Sequence, residues 1–139
     1  RNVTGVQTCA LPISSTDVLI IEDEPLISMQ LENLVTELGH RVIGTAATHG
    51  QAVELFRQHP AGLVLADIQL ADGSSGIDAV EEMLGLGDVP VIFITAYPER
   101  LLTGDRPEPT YLVTKPFREE TVQAAISQAL FFGTSRPLD

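Results

Sequence analysis

Cysteine, basic residues and long apolar runs are all scarce in this chain, and each scarcity narrows what it can do. Cys9 is the one cysteine among 139 residues, so no disulfide can form within the chain. Lysine and arginine number 8 against 19 aspartates and glutamates, for a formal net charge of -11. So acidic a balance argues against nucleic acid or an anionic membrane surface as a direct partner. It suits a soluble, cytoplasmic domain that binds cations and proteins. Hydrophobic residues make up 44% of the chain, yet no apolar run approaches the roughly 20 residues that a membrane helix needs. There are no internal repeats and no low-complexity tracts. The length allows one domain with a substantial core.

Residues 1–13 stand apart from the rest. Val3 to Ile13 follows neither a helical nor a strand period, and it looks like the translation of a sequencing adapter. Residues 1–13 are therefore expected to be a non-native or disordered segment and are excluded from fold reasoning. Cys9 goes with them, which leaves no thiol chemistry. The domain is expected to span 14–139, with the true N-terminus, and any upstream domain, missing.

The remainder alternates between apolar runs and amphipathic stretches. Val18-Leu19-Ile20-Ile21 is a continuous apolar run, the pattern of a strand covered on both faces. Glu22-Asp23-Glu24-Pro25 turns the chain, and Pro25 suits a first helical turn. Ile27, Leu31, Leu34, Val35 and Leu38 follow at helical spacing until Gly39. Val42 to Ala46 is a second strand. Thr48 and Gln51 have the form of a capping box and open a helix that ends before Pro60. Leu63 to Ala66 is the central strand, followed by Asp67 and the polar loop Asp72 to Gly76. A third helix carries Ile77, Val80, Met83 and Leu84, and Val89 to Ile94 is a fourth strand. Between Tyr97 and Pro109 four breakers, Pro98, Gly104, Pro107 and Pro109, leave at most a turn or two of helix around Glu99 to Leu102. Tyr111 to Thr114 is a fifth strand. Val122, Ala125, Ile126, Ala129 and Leu130 stripe a last helix that Phe131 and Phe132 end before Gly133.

This alternation predicts an α/β fold: a (βα)5 flavodoxin-like three-layer sandwich with a short or irregular fourth helix. Right-handed crossovers and a parallel sheet in the order 2-1-3-4-5 put the first and third strands side by side at the switch point, where ligands bind beyond the carboxyl ends of the strands. Glu22, Asp23 and Asp67 then face one another there, joined by Thr95 after the fourth strand and Lys115 after the fifth. Three carboxylates, a hydroxyl and an ammonium suit a divalent cation and a phosphoryl group. Taken alone, a strand-end aspartate is as often a helix N-cap or turn residue. Asp67, however, is followed by Ile68 rather than a helix, and two more acids face it. Without a cation the three carboxylates are expected to repel one another.

Glu22-Asp23-Glu24-Pro25, the strand-end Asp67, Thr95-Ala96 and Lys115-Pro116-Phe117 occur in order, each after its own strand. From Asp17 to about Phe132 the chain resembles the receiver domain of two-component response regulators. The resemblance implies a signalling switch and not an enzyme. Asp67 would accept a phosphoryl group from a sensor histidine kinase or histidine phosphotransferase. Mg2+ would be held by Glu22, Asp23, Asp67 and the backbone carbonyl of Gln69, a set that suits a cation which keeps several waters. Thr95 and Lys115 would each bond a phosphoryl oxygen, and the Lys115-Pro116 peptide bond would be cis. Two features depart from the family pattern. Glu22 stands where an aspartate is commoner, and Leu112 stands where many receivers carry an aromatic switch, with Tyr111 on the opposite strand face.

Ala66 to Gly76 and Phe93 to Arg100 look like the PhyR-type regulators of the general stress response. In those proteins a sigma-factor-like domain precedes the receiver, and phosphorylation releases it to capture an anti-sigma factor. The resemblance implies the same control here, through a missing N-terminal domain, with segment 97–109 as a candidate output face. Three other readings fare worse. A haloacid-dehalogenase-type phosphatase needs a general acid where Gln69 stands. A flavodoxin needs phosphate donors where Glu22, Asp23 and Glu24 stand. A phosphorylation-independent pseudo-receiver, acting purely as an interaction module, has no need of Asp67, Thr95 and Lys115 together.

Overall fold

The computed structural model describes residues 15–102 and 110–134. The expectations for residues 1–13, and for the part of the proline-rich segment that holds Gly104, Pro107 and Pro109, fall outside them. Five strands form one parallel sheet: β1 Asp17–Ile21, β2 Arg41–Ala46, β3 Leu63–Ala66, β4 Val91–Thr95 and β5 Thr110–Thr114, in the order β2-β1-β3-β4-β5. The helices are α1 Pro25–Glu37, α2 His49–Gln58, α3 Gly76–Leu84, α4 Glu99–Leu102 and α5 Glu119–Thr134. This is the flavodoxin-like sandwich expected from the alternation of elements. The single turn of α4 falls where four closely spaced breakers leave room for no more.

Alternation along each central strand divides the core in two. Val18 and Ile20 of β1, Leu63 and Leu65 of β3, and Ile92 and Ile94 of β4 pack with Leu31, Leu34 and Val35 of α1 and Val122 and Ile126 of α5. Leu19 and Ile21, Val64 and Ala66, and Val91 and Phe93 pack on the other face with α2, α3 and Leu101 of α4. Burial on both faces explains why these strands read as unbroken apolar runs. In β5, Tyr111 and Val113 pack into the α1/α5 layer, while Leu112 points the other way and is 39% exposed.

The helix ends follow local chemistry. Pro25 opens α1. At its other end Gly39, at φ +91°, lets its own N–H donate to the Thr36 carbonyl while the His40 N–H donates to the Val35 carbonyl. That is a complete Schellman motif, which needs a residue tolerant of positive φ. At α2 the Thr48 hydroxyl accepts from the Gln51 N–H, but the Gln51 side chain accepts from Ala47 rather than from Thr48. The reciprocal half of the capping box thus falls one residue early. The chain stays helical past Phe131 and Phe132 to Thr134, further than the sequence pattern indicates.

Gly76, the first residue of α3, is set by packing. Its N–H donates to the Ile68 carbonyl at 2.7 Å, and a Cβ there would lie 1.7 Å from the Asp67 carbonyl oxygen. Backbone must move to admit any side chain. Gly76→Ala is expected to destabilise the fold by about 3 kcal/mol or more, read from urea denaturation. A loss well under about 1 kcal/mol would show that the loop gives way easily.

His40 is buried after α1, and its Nδ1 accepts the Thr16 N–H at 3.1 Å. Burial lowers its pKa below the ordinary 6.5. As pH falls, the unfolded chain takes up the proton first. The contribution of His40 to stability is therefore complete above 6.5 and is lost as pH falls below that value. Between about pH 7.5 and about pH 5.5 the melting temperature of His40→Asn should respond less to acid than that of the parent chain. Identical slopes for the two chains would remove His40 as a cause.

Candidate functional site

The parallel register carries the chemistry to one rim. Ile21 pairs with Ala66 across β1 and β3, so Glu22 and Asp67 leave the sheet side by side, and the Asp67 N–H donates to the Ile21 carbonyl at 2.8 Å. Thr95 pairs with Thr114 across β4 and β5, and the Lys115 N–H donates to the Thr95 carbonyl at 2.9 Å. The Lys115-Pro116 bond is cis. Glu22, Asp23, Asp67, Thr95 and Lys115, drawn from four strand ends, thus meet at the carboxyl edge of the sheet.

An ion-pair triad lies at the centre. The Lys115 Nζ donates to Glu22 Oε1 and to Asp67 Oδ2, at 2.9 Å each. The Glu22 side chain is 1% exposed, that of Asp67 9% and that of Lys115 12%. Glu22 Oε2 also accepts from the Glu24 N–H, and Asp67 Oδ1 from the Ile68 N–H at 2.6 Å. Burial pushes the Glu22 carboxyl above its usual range, and the Lys115 bond only partly offsets this. Burial also works against the Lys115 ammonium, but its bonds to Glu22 and Asp67 outweigh that and raise its pKa. The lysine therefore stays charged. The repulsion expected among three bare carboxylates is already moderated from within the chain.

Asp23 is half-buried, and one carboxylate oxygen from each of Glu22, Asp23 and Asp67 falls within a 4.8 Å cluster. Asp23 and Asp67 border a cavity of ≈ 480 Å3 whose walls also include Gln69, Tyr97, Arg100 and Lys115. Glu22 and Thr95 are buried and do not line it. The donor set fits Mg2+, a hard cation that takes carboxylate and carbonyl oxygen and retains waters, for which the cavity has room. Thr95 is fully buried, and its Oγ1 accepts the Tyr97 N–H at 3.0 Å. That bond engages an oxygen lone pair and not the hydroxyl hydrogen. A ligand in the cavity reaches the hydroxyl only once it is uncovered.

The loop after β3 is built as a hairpin. Gln69 bridges Ser75, the Leu70 N–H donates to the Ser74 carbonyl, and Gly73 turns at φ +82°. The Ser75 hydroxyl caps α3 by accepting the Ile77 N–H. The loop is also fastened to α2. The His49 N–H donates to the Ser74 hydroxyl, the Ala71 N–H donates to the Ala47 carbonyl, and the His49 ring lies 2.7 Å from Glu82 of α3. The sequence reading missed this latch, the direct Glu22–Lys115 pair, and the presence of Tyr97 and Arg100 on the cavity wall. Only the last two had a signal in sequence, their place in the segment that follows Thr95.

The family model described as response regulator receiver domain matches residues 18–127. The chain belongs to that family. Its relatives narrow the resemblance. It is 62% identical over 122 residues to the phyllosphere-induced regulator PhyR of Methylorubrum extorquens, covering 87% of this chain and 46% of that protein. The solution structure of the Erythrobacter litoralis PhyR response regulator REC domain is 74% identical, covers 90% of this chain and 97% of that one, and superimposes with a TM-score of 0.83. A co-crystal structure of the anti-anti-sigma factor PhyR complexed with the anti-sigma factor NepR, from Bartonella quintana, is 63% identical over 85% of this chain and 49% of that one, with a TM-score of 0.58. The chain is thus a PhyR-type receiver that spans about half the length of the full regulators it matches. Among the described residues no helix is long and apolar enough to cross a membrane.

The triad makes a demanding prediction. Lys115→Met leaves Glu22 and Asp67 buried without their cation, which should cost about 3 kcal/mol. Millimolar Mg2+ should then restore part of the loss by binding the folded state. Urea denaturation of both chains with and without Mg2+ reads the effect. A variant as stable as the parent in metal-free buffer would mean that the pair contributes nothing net.

Proposed function

We propose that the chain is the phosphoacceptor module of a two-component relay, with Asp67 as the acceptor. What carries this is the Lys115 ammonium, bonded at once to Asp67 and Glu22 beside a cavity open to solvent. An Asp67 carboxylate oxygen attacks the phosphorus of a phosphohistidine on a histidine kinase or phosphotransferase. A P–O bond forms and the P–N bond breaks, its electron pair going to the ring nitrogen; the ring, already protonated on its other nitrogen, leaves as neutral imidazole. Asp67 is thereby converted from a carboxylate to an acyl phosphate, while its backbone N–H is the donor to the Ile21 carbonyl.

Glu22, Asp23, Asp67 and the Gln69 carbonyl would hold Mg2+, which neutralises charge on the transferring phosphoryl. Lys115 already touches Asp67 Oδ2, so its ammonium is in reach of a phosphoryl oxygen. Thr95 would donate its hydroxyl hydrogen to another.

The output would be protein binding in the cytoplasm. PhyR relatives about twice this length include one solved with an anti-sigma factor. In this chain the phosphoryl state would control an N-terminal sigma-like domain that captures such a factor. The outcome rests on population shift, in which the phosphoryl group favours one arrangement of the segment after Thr95.

Intact mass after incubation with Mg2+ and a small phosphodonor tests the acceptor. One phosphoryl adduct is expected on the parent chain, labile to hydroxylamine and absent from Asp67→Asn. An adduct that persists in Asp67→Asn would move the acceptor elsewhere. No adduct on either chain would leave the pseudo-receiver, an interaction module that works without phosphorylation.

A further inference from the structure

Arg100 stands on the single turn of α4 and lines the same cavity as Asp23, Asp67 and Lys115. Apart from Lys115 it is the cation on that wall. Lys115 is already committed to Glu22 and Asp67, whereas among the described residues no carboxylate pairs with Arg100. Arg100 is an exposed residue. It is also tied to the site through the backbone, because the Arg100 N–H donates to the Tyr97 carbonyl and the Tyr97 N–H donates to Thr95 Oγ1. Next to it, Leu101 is buried in the core layer formed with α2 and α3.

Phosphorylation changes the charge balance of this cavity. A phosphoryl monoester carries a charge of about −1.5 to −2 and three strong acceptor oxygens. It would replace one carboxylate charge on Asp67 in a site where a single lysine already serves two acids. A planar guanidinium with five donors suits such an anion, and the bond is charge-assisted at both ends. We propose that Arg100 reads the phosphoryl group on Asp67, closing onto its oxygens and drawing α4 toward the rim of the sheet. The inference rests on Asp67 as acceptor and adds the element that moves. Leu112 supplies no aromatic hydroxyl in the family's switch position, so an arginine on α4 offers a different route from the site to the surface.

Beryllofluoride, a phosphoryl analogue, tests this in the presence of saturating Mg2+, with Arg100→Gln and Arg100→Lys beside the parent chain. Arg100→Gln should bind beryllofluoride about tenfold more weakly, with Arg100→Lys between the two. In backbone amide spectra, the beryllofluoride-induced shifts at Glu99 to Leu102 should shrink in Arg100→Gln. Mg2+ alone should bind Arg100→Gln at least as tightly as the parent, because a positive charge has left an acidic site. General damage to the fold would weaken both ligands together. Equal beryllofluoride affinity and equal shifts in the parent and Arg100→Gln, with the parent phosphorylated on Asp67, would overturn the role of Arg100 alone. A parent chain that takes up neither a phosphoryl group nor beryllofluoride would overturn that role and the phosphoacceptor reading together.

Discussion

An ammonium bonded to two buried carboxylates holds this site together before any ligand arrives. Glu22 and Asp67 emerge from adjacent parallel strands, and their closeness follows from the register that also buries Ile21 and Ala66. Sliding that register by one residue would turn every apolar side chain of β1 to the wrong layer. The core and the acid pair are therefore one constraint. Lys115 reaches the pair from β5, two strands beyond β3. The desolvation cost of the carboxylates, visible in the raised pKa of Glu22, makes the lysine a structural partner as well as a chemical one.

The fold was largely legible in the sequence because a parallel sheet buried on both faces writes itself as short apolar runs. Each run here is followed by its chemistry, and four breakers in close succession announced a truncated α4. What the sequence left hidden shares one physical feature. The Lys115–Glu22 bond joins residues 93 apart, and the His49–Ser74 bond joins residues 25 apart. Both depend on how separate elements dock, which no local period encodes. The residue types at the site could be read from sequence, but the competition among them could not. Three acids suggested an unmet need for a cation, whereas the structure meets much of that need with Lys115. Likewise, Thr95 looked like a ready donor but is fully covered.

Two cations of different kind thus line one acidic cavity. Lys115 is nearly buried and engaged, and α5 follows it closely. Arg100 is exposed, on one turn of helix in which Leu101 is buried. A single helical turn has few backbone hydrogen bonds to lose when it shifts, which is a local condition for a low-energy opening. The α1/α5 layer is built differently, since its helices share a continuous core with four strands. An electrostatic change at Asp67 would therefore be expected to move the α4 side of the sheet and leave the other face in place.

The latch between the β3–α3 loop and α2 completes that asymmetry. Gly76 leaves no room for a side chain beside the Asp67 carbonyl, Ser75 caps α3, and His49 fastens Ser74. The side of the cavity that carries Gln69 is thus latched to α2 and α3, while the side that carries Tyr97 and Arg100 is held by the Tyr97–Thr95 and Arg100–Tyr97 bonds and by buried Leu101. A site with one wall latched to two helices and the other on a single helical turn can convert a new charge into movement of that turn. The latched wall keeps Asp67 in place for a cation, and the turn carries the arginine that would respond. A fold in which both walls were rigid could hold the same ligands without passing any signal to its surface.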